Sequence, residues 1–66
     1  GRVHLAVYDA AGRQVAVLID RAFEAGEHTV AWHGVDSQGN AVASGIYFCR
    51  FICEGGSFTR KMVLLR

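Results

Sequence analysis

Proline is absent from this sequence, and no apolar run approaches the roughly 18–20 residues of a membrane-spanning helix. A large net charge of either sign is also missing. Seven basic and six acidic residues leave a net charge of +1, and they are scattered along the chain. A nucleic-acid-binding domain concentrates its basic residues on one face, so this class is not favoured. No signal peptide stands at the start, so we expect any export signal to lie in a parent chain or within this domain.

Cysteine is scarce too, and the two that occur are Cys49 and Cys53. On one strand, four residues at about 3.3 Å each place them roughly 13 Å apart. A disulfide needs Cα atoms about 4.4–6.8 Å apart, so they do not pair with each other without a sharp bend. We expect two buried free thiols, with an intermolecular bridge as the alternative. Two isolated thiols also make a poor zinc site, because no nearby ligand completes a set of four.

No cluster of catalytic or metal-binding side chains is apparent. The three histidines, His4, His28 and His33, are separated in sequence, and the last two point to opposite faces of one predicted strand. The nearest carboxylate pair, Glu24 and Glu27, lies in or beside a polar connection without a pocket to raise a pKa. We therefore predict no catalytic residue, no metal site and no cofactor, and that the chain is not an enzyme.

Alternation of apolar and polar residues is what the sequence does contain. Apolar residues make up 52% of the 66, enough for one small domain with a thin core. Residues 2–8 alternate with the period of a half-buried strand. Residues 9–12 predict a type I turn, with Asp9 capping the backbone and Gly12 in fourth place. Residues 13–19 then form the return strand of a hairpin.

The rest of the chain predicts further strands. Residues 27–33 form a third long strand carrying Trp32, which we expect at the centre of the core. Residues 34–40 are a polar loop and residues 41–43 a short edge piece. Residues 46–53 and 57–65 are the last two strands, joined by a turn. The predicted fold is all-β: a small immunoglobulin-like antiparallel sandwich of about six strands, one domain over residues 1–66.

Arg50 predicts which way the strand at residues 46–53 faces. An unpaired buried guanidinium is costly, so Arg50 should point outward. The alternate residues then face the core: Tyr47, Cys49, Phe51 and Cys53. Three apolar residues share the outer face with Arg50: Ile46, Phe48 and Ile52. That face is more apolar than a solvated face needs to be, so we predict a packing interface there.

Two weaker patterns also have structural explanations. Residues 36–40 faintly resemble a calcium loop but lack its closing bidentate glutamate, so we favour a turn held by the side chains of Asp36 and Asn40. The basic residues Arg60, Lys61 and Arg66 are too few for single-stranded nucleic acid. Their simpler role is to guard an edge strand against aggregation.

Five segments in order resemble one family: residues 7–13 (VYDAAGR), 26–32 (GEHTVAW), 34–40 (GVDSQGN), 43–48 (ASGIYF) and 59–65 (TRKMVLL). The chain resembles the FlgD-type Ig-like domain, named from the flagellar hook-capping protein, which shades into the C-terminal (type A) sorting domains of the type IX secretion system. It departs from the pattern at His33, where the family usually has Asp, and at Cys49, where an aromatic is frequent. The family pattern also has an extra first strand, which either precedes Gly1 in a longer protein or is supplied by another chain through β-augmentation.

The resemblance implies a non-catalytic C-terminal secretion-sorting and cell-surface attachment module of a larger extracellular bacterial protein, exported across the outer membrane. Its partner would be the secretion machinery, and the candidate recognition surface is Lys61, Val63 and Leu65. The alternative is a structural assembly module of a surface filament or hook-cap-like scaffold. It would pack by strand complementation against neighbouring subunits or a parent domain, through Ile46, Phe48 and Ile52. A carbohydrate-binding sandwich would need a row of exposed aromatics, for which Tyr8 and Phe48 are the candidates.

Overall fold

Two hairpins build the sheet of this chain. In the computed structural model, which describes residues 1–22 and 29–66, the strands are β1 (Arg2–Asp9), β2 (Gln14–Ala22), β3 (Gly45–Cys53) and β4 (Gly56–Leu64). They form one antiparallel sheet in the order β2-β1-β3-β4, so β2 and β4 are its edges. The all-β prediction is confirmed for the described residues.

The first hairpin turns where the sequence predicted. The Asp9 carbonyl accepts a hydrogen bond from the Gly12 amide at 3.0 Å, and the Asp9 carboxylate accepts from the amides of Ala11 at 3.0 Å and Arg13 at 2.9 Å. Gly12 has a φ of 86°, which a residue without Cβ adopts at little cost. The strand after the turn continues to Ala22, beyond the predicted end at residue 19.

The second hairpin has a two-residue connection, Glu54 and Gly55, between strands in continuous register. The pairing runs from Cys53 with Gly56 to Gly45 with Leu64. β3 also pairs with β1 on its other side, which joins the two hairpins through their first strands. These last two strands were therefore predicted to within a residue at each end.

The buried residues lie mainly on one face of the sheet, which we call the inner face. Val3, Leu5 and Val7 of β1 are buried there, as their alternation predicted, and Ile19 of β2 completes the apolar cluster with Val3 and Leu5. On β3, Tyr47 is buried. Three further β3 residues are half-buried on this face: Cys49, Phe51 and Cys53. Arg50 is exposed, so the predicted facing of β3 is confirmed.

The prediction that the core centres on Trp32 was wrong. Trp32 is only half-buried, and the apolar cluster of Val3, Leu5 and Ile19 does not include it. Its ring instead packs edge-on against Tyr47, with centroids 5.0 Å apart. Its Nε1 donates a hydrogen bond to the Val35 carbonyl at 2.8 Å. Through these two contacts, Trp32 connects the loop around Val35 to Tyr47 of the sheet.

The predicted strand over residues 27–33 is also corrected. Residues 29–33 are not in a strand, and residues 27–28 lie outside the described residues together with Glu24, Gly26 and the connection around them. A strand persists only beside a neighbour that takes its backbone hydrogen bonds, and the described part of the chain offers residues 29–33 none. The predicted piece at residues 41–43 is reduced to one isolated bridge, between Val35 and Ala41.

Four strands are thus found in the described residues where about six were predicted. The single sheet is consistent with one layer of a small Ig-like sandwich, but a second layer is not seen in residues 1–22 and 29–66. What matters for function is that β1 and β3 lie in the middle and β4 at an edge. The pairing register of β3 and β4 therefore determines which of their side chains lie together on each face of the sheet.

Candidate docking surface

The register of β3 and β4 joins the two surfaces that the sequence predicted separately. Ile46 lies opposite Val63, and Phe48 lies opposite Lys61. Directly opposed residues of an antiparallel pair project from the same face. The predicted packing interface and the predicted recognition surface are therefore neighbours on one face, the side of the sheet opposite to the core.

Arg50 lies in the next row of the same face. It is opposite Thr59 on β4 and Ala6 on β1, while Tyr8 of β1 lies opposite Phe48. We define the outer patch as five residues of this face: Ile46, Phe48, Arg50, Lys61 and Val63. Arg50 and Thr59 were not among the predicted site residues, and Tyr8 was named only for carbohydrate binding, although the pairing register places all three beside the predicted residues.

Exposure is high over most of the outer patch. Val63 is 62% exposed and Ile46 43%, whereas Phe48 is half-buried. The two other predicted residues lie apart from the patch. Ile52 sits opposite Ser57 near the other end of the hairpin, and Leu65, 84% exposed, lies beyond the last residue of β4.

An open depression of about 280 Å³ adjoins the patch at the end of the β1–β2 hairpin. Phe48, Arg50 and Thr59 line it together with Tyr8 and the turn at Gly12. No group of three or more metal-ligating side chains occurs there or elsewhere in the described residues. Its walls combine the rings of Tyr8 and Phe48 with the polar residues Asp9, Arg50 and Thr59, a mixture that suits contact with another protein.

The carboxylates of Asp9 and Asp36, which lie at turns, accept hydrogen bonds from backbone amides of this chain. Asp36 Oδ1 accepts hydrogen bonds from the amides of Gln38 and Asn40, both at 2.9 Å. The Asn40 amide is the main reason that the pKa of Asp36 lies below its usual value. The prediction of a turn held by the side chains of Asp36 and Asn40 is therefore confirmed for Asp36, whereas Asn40 contributes its backbone amide. In the first hairpin, the Arg13 amide likewise lowers the pKa of Asp9.

The remaining candidate side chains within the described residues do not converge. His4 lies beside Asp20, with Nδ1 and Oδ1 3.7 Å apart, whereas His33 is exposed in a loop and His28 lies outside the described residues. Cys49 and Cys53 form no disulfide with each other, as predicted, but each is half-buried where burial was expected. Partial burial raises the pKa of the Cys49 thiol.

Arg66 has a structural role that its sequence context did not reveal. Its Nε donates to the Val42 carbonyl at 2.6 Å, its Nη2 donates to the Gly34 carbonyl, and its amide donates to Ser44 Oγ at 3.1 Å. Arg66, two residues beyond the end of β4, is thereby tied to the loop of residues 34–44. The sequence showed only a glycine at residue 34; its burial and its φ of 70° are visible in the structure alone.

Comparison with protein families decides the broader classification. The model of the FlgD Ig-like domain family matches residues 1–50 of the 66. The chain belongs to the FlgD Ig-like domain family. No curated protein and no solved structure matches it significantly. The FlgD Ig-like match includes β1, β2 and most of β3, and hence Ile46, Phe48 and Arg50 of the outer patch.

Membership in the FlgD Ig-like domain family supports a structural, non-catalytic module. The type IX sorting role stays a prediction. The described residues contain no helix of the length and apolarity needed to cross a bilayer.

Proposed function

We propose that this chain is a non-catalytic attachment module of a larger extracellular bacterial protein, and that it holds the parent protein to a neighbouring protein through the outer patch. One observation carries the proposal. Cross-strand pairing places Ile46 beside Val63 and Phe48 beside Lys61 on one face. An exposed apolar patch bordered by charge is typical of protein–protein contact surfaces.

The composition of the outer patch supports the same conclusion. Aromatic and arginine side chains provide a large share of the binding energy at interfaces, and the patch contains Phe48 and Arg50 side by side on β3. Among residues 1–22 and 29–66, no strand pairs with the outer side of β4, so its backbone groups there are available to extend the sheet. A partner can therefore contact the patch and the free edge together.

A second candidate is the sorting function, in which the outer-membrane secretion machinery recognises β4 and the residue after it. The exposure of Val63 and Leu65, at 62% and 84%, favours this candidate. In this candidate, the secretion machinery binds β4 during export, whereas in the first candidate a neighbouring protein binds it in the final assembly.

Substitution in the full-length parent protein, in the bacterium that makes it, separates the two candidates. The double variant Phe48→Glu and Val63→Glu places two carboxylates in the outer patch. For an attachment module, we expect the parent protein to be exported but released into the medium. For a sorting module, we expect it to accumulate in the periplasm.

The control is Gln38→Glu, which adds a carboxylate at an exposed loop position outside the patch. It should leave the parent protein on the cell surface. Thermal unfolding of the purified parent variants verifies that the module is folded. A folded double variant that stays on the surface at the wild-type level would refute both candidates.

A further inference from the structure

Arg50 and Lys61 are two cations of the outer patch without a carboxylate partner in residues 1–22 and 29–66. Arg50 lies opposite Thr59, and Lys61 is two residues farther along β4. They are thus diagonal neighbours on one face, about 7–8 Å apart between backbones. Both side chains are exposed.

The carboxylates among the described residues make other contacts or lie at other positions. Asp9 lines the same depression as Arg50 but pairs with Arg13 at 3.1 Å, and Asp20 pairs with Arg2 at 2.8 Å. Asp36 accepts hydrogen bonds from its own turn, and Glu54 stands in the connection between β3 and β4. Arg50 and Lys61 therefore have no carboxylate partner in the described part of the chain, and both can pair with carboxylates of another molecule.

The spacing of the rows indicates the backbone conformation of such a partner. Arg50 and Lys61 belong to successive rows on the same face. In an extended chain, side chains at positions i and i+2 project to one side about 6.6–6.8 Å apart, which matches these rows. Acidic residues on one side of a helix, three or four positions apart, are only about 5–6 Å apart. An extended segment fits the two cations better.

The next row continues the pattern with apolar surface. Beyond Lys61 on the same face lies Val63, opposite Ile46, and both are exposed. An extended partner that aligns two carboxylates with the cations brings its residue i+4 over this pair. Burial of an apolar side chain there would remove Ile46 and Val63 from water.

We propose that the outer patch binds an extended protein segment with acidic residues at positions i and i+2 and an apolar residue at i+4. This inference rests on the proposed attachment function and specifies the chemistry of the partner. The carboxylates pair with Arg50 and Lys61, and the apolar residue packs on Ile46 and Val63. Charge complementarity sets the register and speeds association.

Fluorescence anisotropy with labelled synthetic peptides tests the proposal on the full-length parent protein. The probe is the nonapeptide TETETVTVT, which has the predicted spacing. The glutamine version TQTQTVTVT and the double variant Arg50→Gln and Lys61→Gln should each weaken binding about tenfold, since each removes two exposed charge pairs. The peptide TEETTVTVT, whose acidic residues face opposite sides, should also bind more weakly.

Arg60→Gln is the matched control, because Arg60 is adjacent to Lys61 but lies opposite Cys49 on the inner face. It should leave the affinity for TETETVTVT unchanged. Equal weakening by Arg60→Gln, equal binding of TEETTVTVT, or no binding of TETETVTVT up to about 1 mM would each overturn the proposal. So would a preference for dextran sulfate or anionic lipid vesicles over the peptide.

The two proposals fail separately. If Phe48→Glu with Val63→Glu releases the parent protein while TETETVTVT does not bind, the attachment function stands and the partner chemistry is wrong. If the peptide binds as expected while that double variant stays on the cell surface, the patch is a peptide site that does not serve attachment.

Discussion

At the scale of single residues, the Arg66 side chain lies against Gly34, which has no side chain of its own. The Arg66 guanidinium donates to the carbonyls of Gly34 and Val42, and hydrogen bonds from a charged donor are stronger than neutral ones. A Cβ placed on Gly34 would lie 2.6 Å from Arg66 Nη2 and 3.2 Å from the Leu64 methyl groups. The absence of a side chain at residue 34 is thus what lets the guanidinium reach the loop.

Arg66→Ala should destabilise the fold, because it removes two charge-assisted hydrogen bonds between the end of β4 and the loop. We expect a loss of about 1–3 kcal/mol in the free energy of unfolding, measured by urea denaturation. Arg66→Lys serves as the control and should recover part of the loss, since an ammonium group reaches one carbonyl but not both. An unchanged midpoint for Arg66→Ala would show that the contacts contribute nothing.

Gly34→Ala should cost more stability than Gly12→Ala. Both glycines have positive φ, at 70° and 86°, so both alanines carry backbone strain of about 1–2 kcal/mol. Only at residue 34 does the new methyl group also meet other atoms, because nothing lies within 4 Å of a Cβ at residue 12. Equal denaturation midpoints for the two variants would contradict this account.

At the scale of elements, two turns are held by aspartate side chains. Asp9 closes the β1–β2 hairpin and Asp36 closes the loop that follows Val35, each by accepting hydrogen bonds from backbone amides. Donation to the charged form favours it, so the pKa of each carboxyl lies below 3.8 in the folded protein. The turns and the pH dependence of stability are therefore linked.

Acid should weaken the fold through these turns. Because the folded-state pKa values of Asp9 and Asp36 are lowered, their contribution is fully present above the unfolded value of 3.8 and is lost as pH falls through the folded values. We expect the urea midpoint to decline below about pH 4 and the decline to be shallower in Asp36→Asn. Gln38→Ala, in the same loop but without a carboxylate, should keep the wild-type slope. An equally steep decline in Asp36→Asn would argue against the Asp36 turn as a source of the acid sensitivity of the fold.

The elements also show what the sequence could and could not predict. Alternation located β1, β3 and β4, and turn chemistry located both hairpins. The outer patch depends on the second connection consisting of Glu54 and Gly55, because a two-residue connection determines every pair between the strands. Alternation misled at residues 29–33, since it indicates that a segment is able to form a strand but not that a neighbouring strand exists.

At the scale of the whole molecule, the sheet has a thin core whose inner face stays partly open. Phe58 stacks on Phe51 with ring centroids 5.1 Å apart and is still 60% exposed. The size of Trp32 suggested a core around it, but the fully buried large side chain is Val7 on the central strand β1. Position in the sheet, which the sequence does not show directly, outweighed side-chain size.

Cys49 offers a probe of how tightly this thin core closes. Its thiol is half-buried on the inner face, and burial raises its pKa, so the reactive thiolate is scarce in the folded protein. In a Cys53→Ser variant at pH 8, we expect iodoacetamide to modify Cys49 several-fold more slowly than in urea, measured by mass spectrometry. The reciprocal Cys49→Ser variant reports Cys53 under the same conditions. Equal rates for Cys49 with and without urea would mean that the inner face opens faster than the reagent reacts, and that the sheet needs a covering partner to close it.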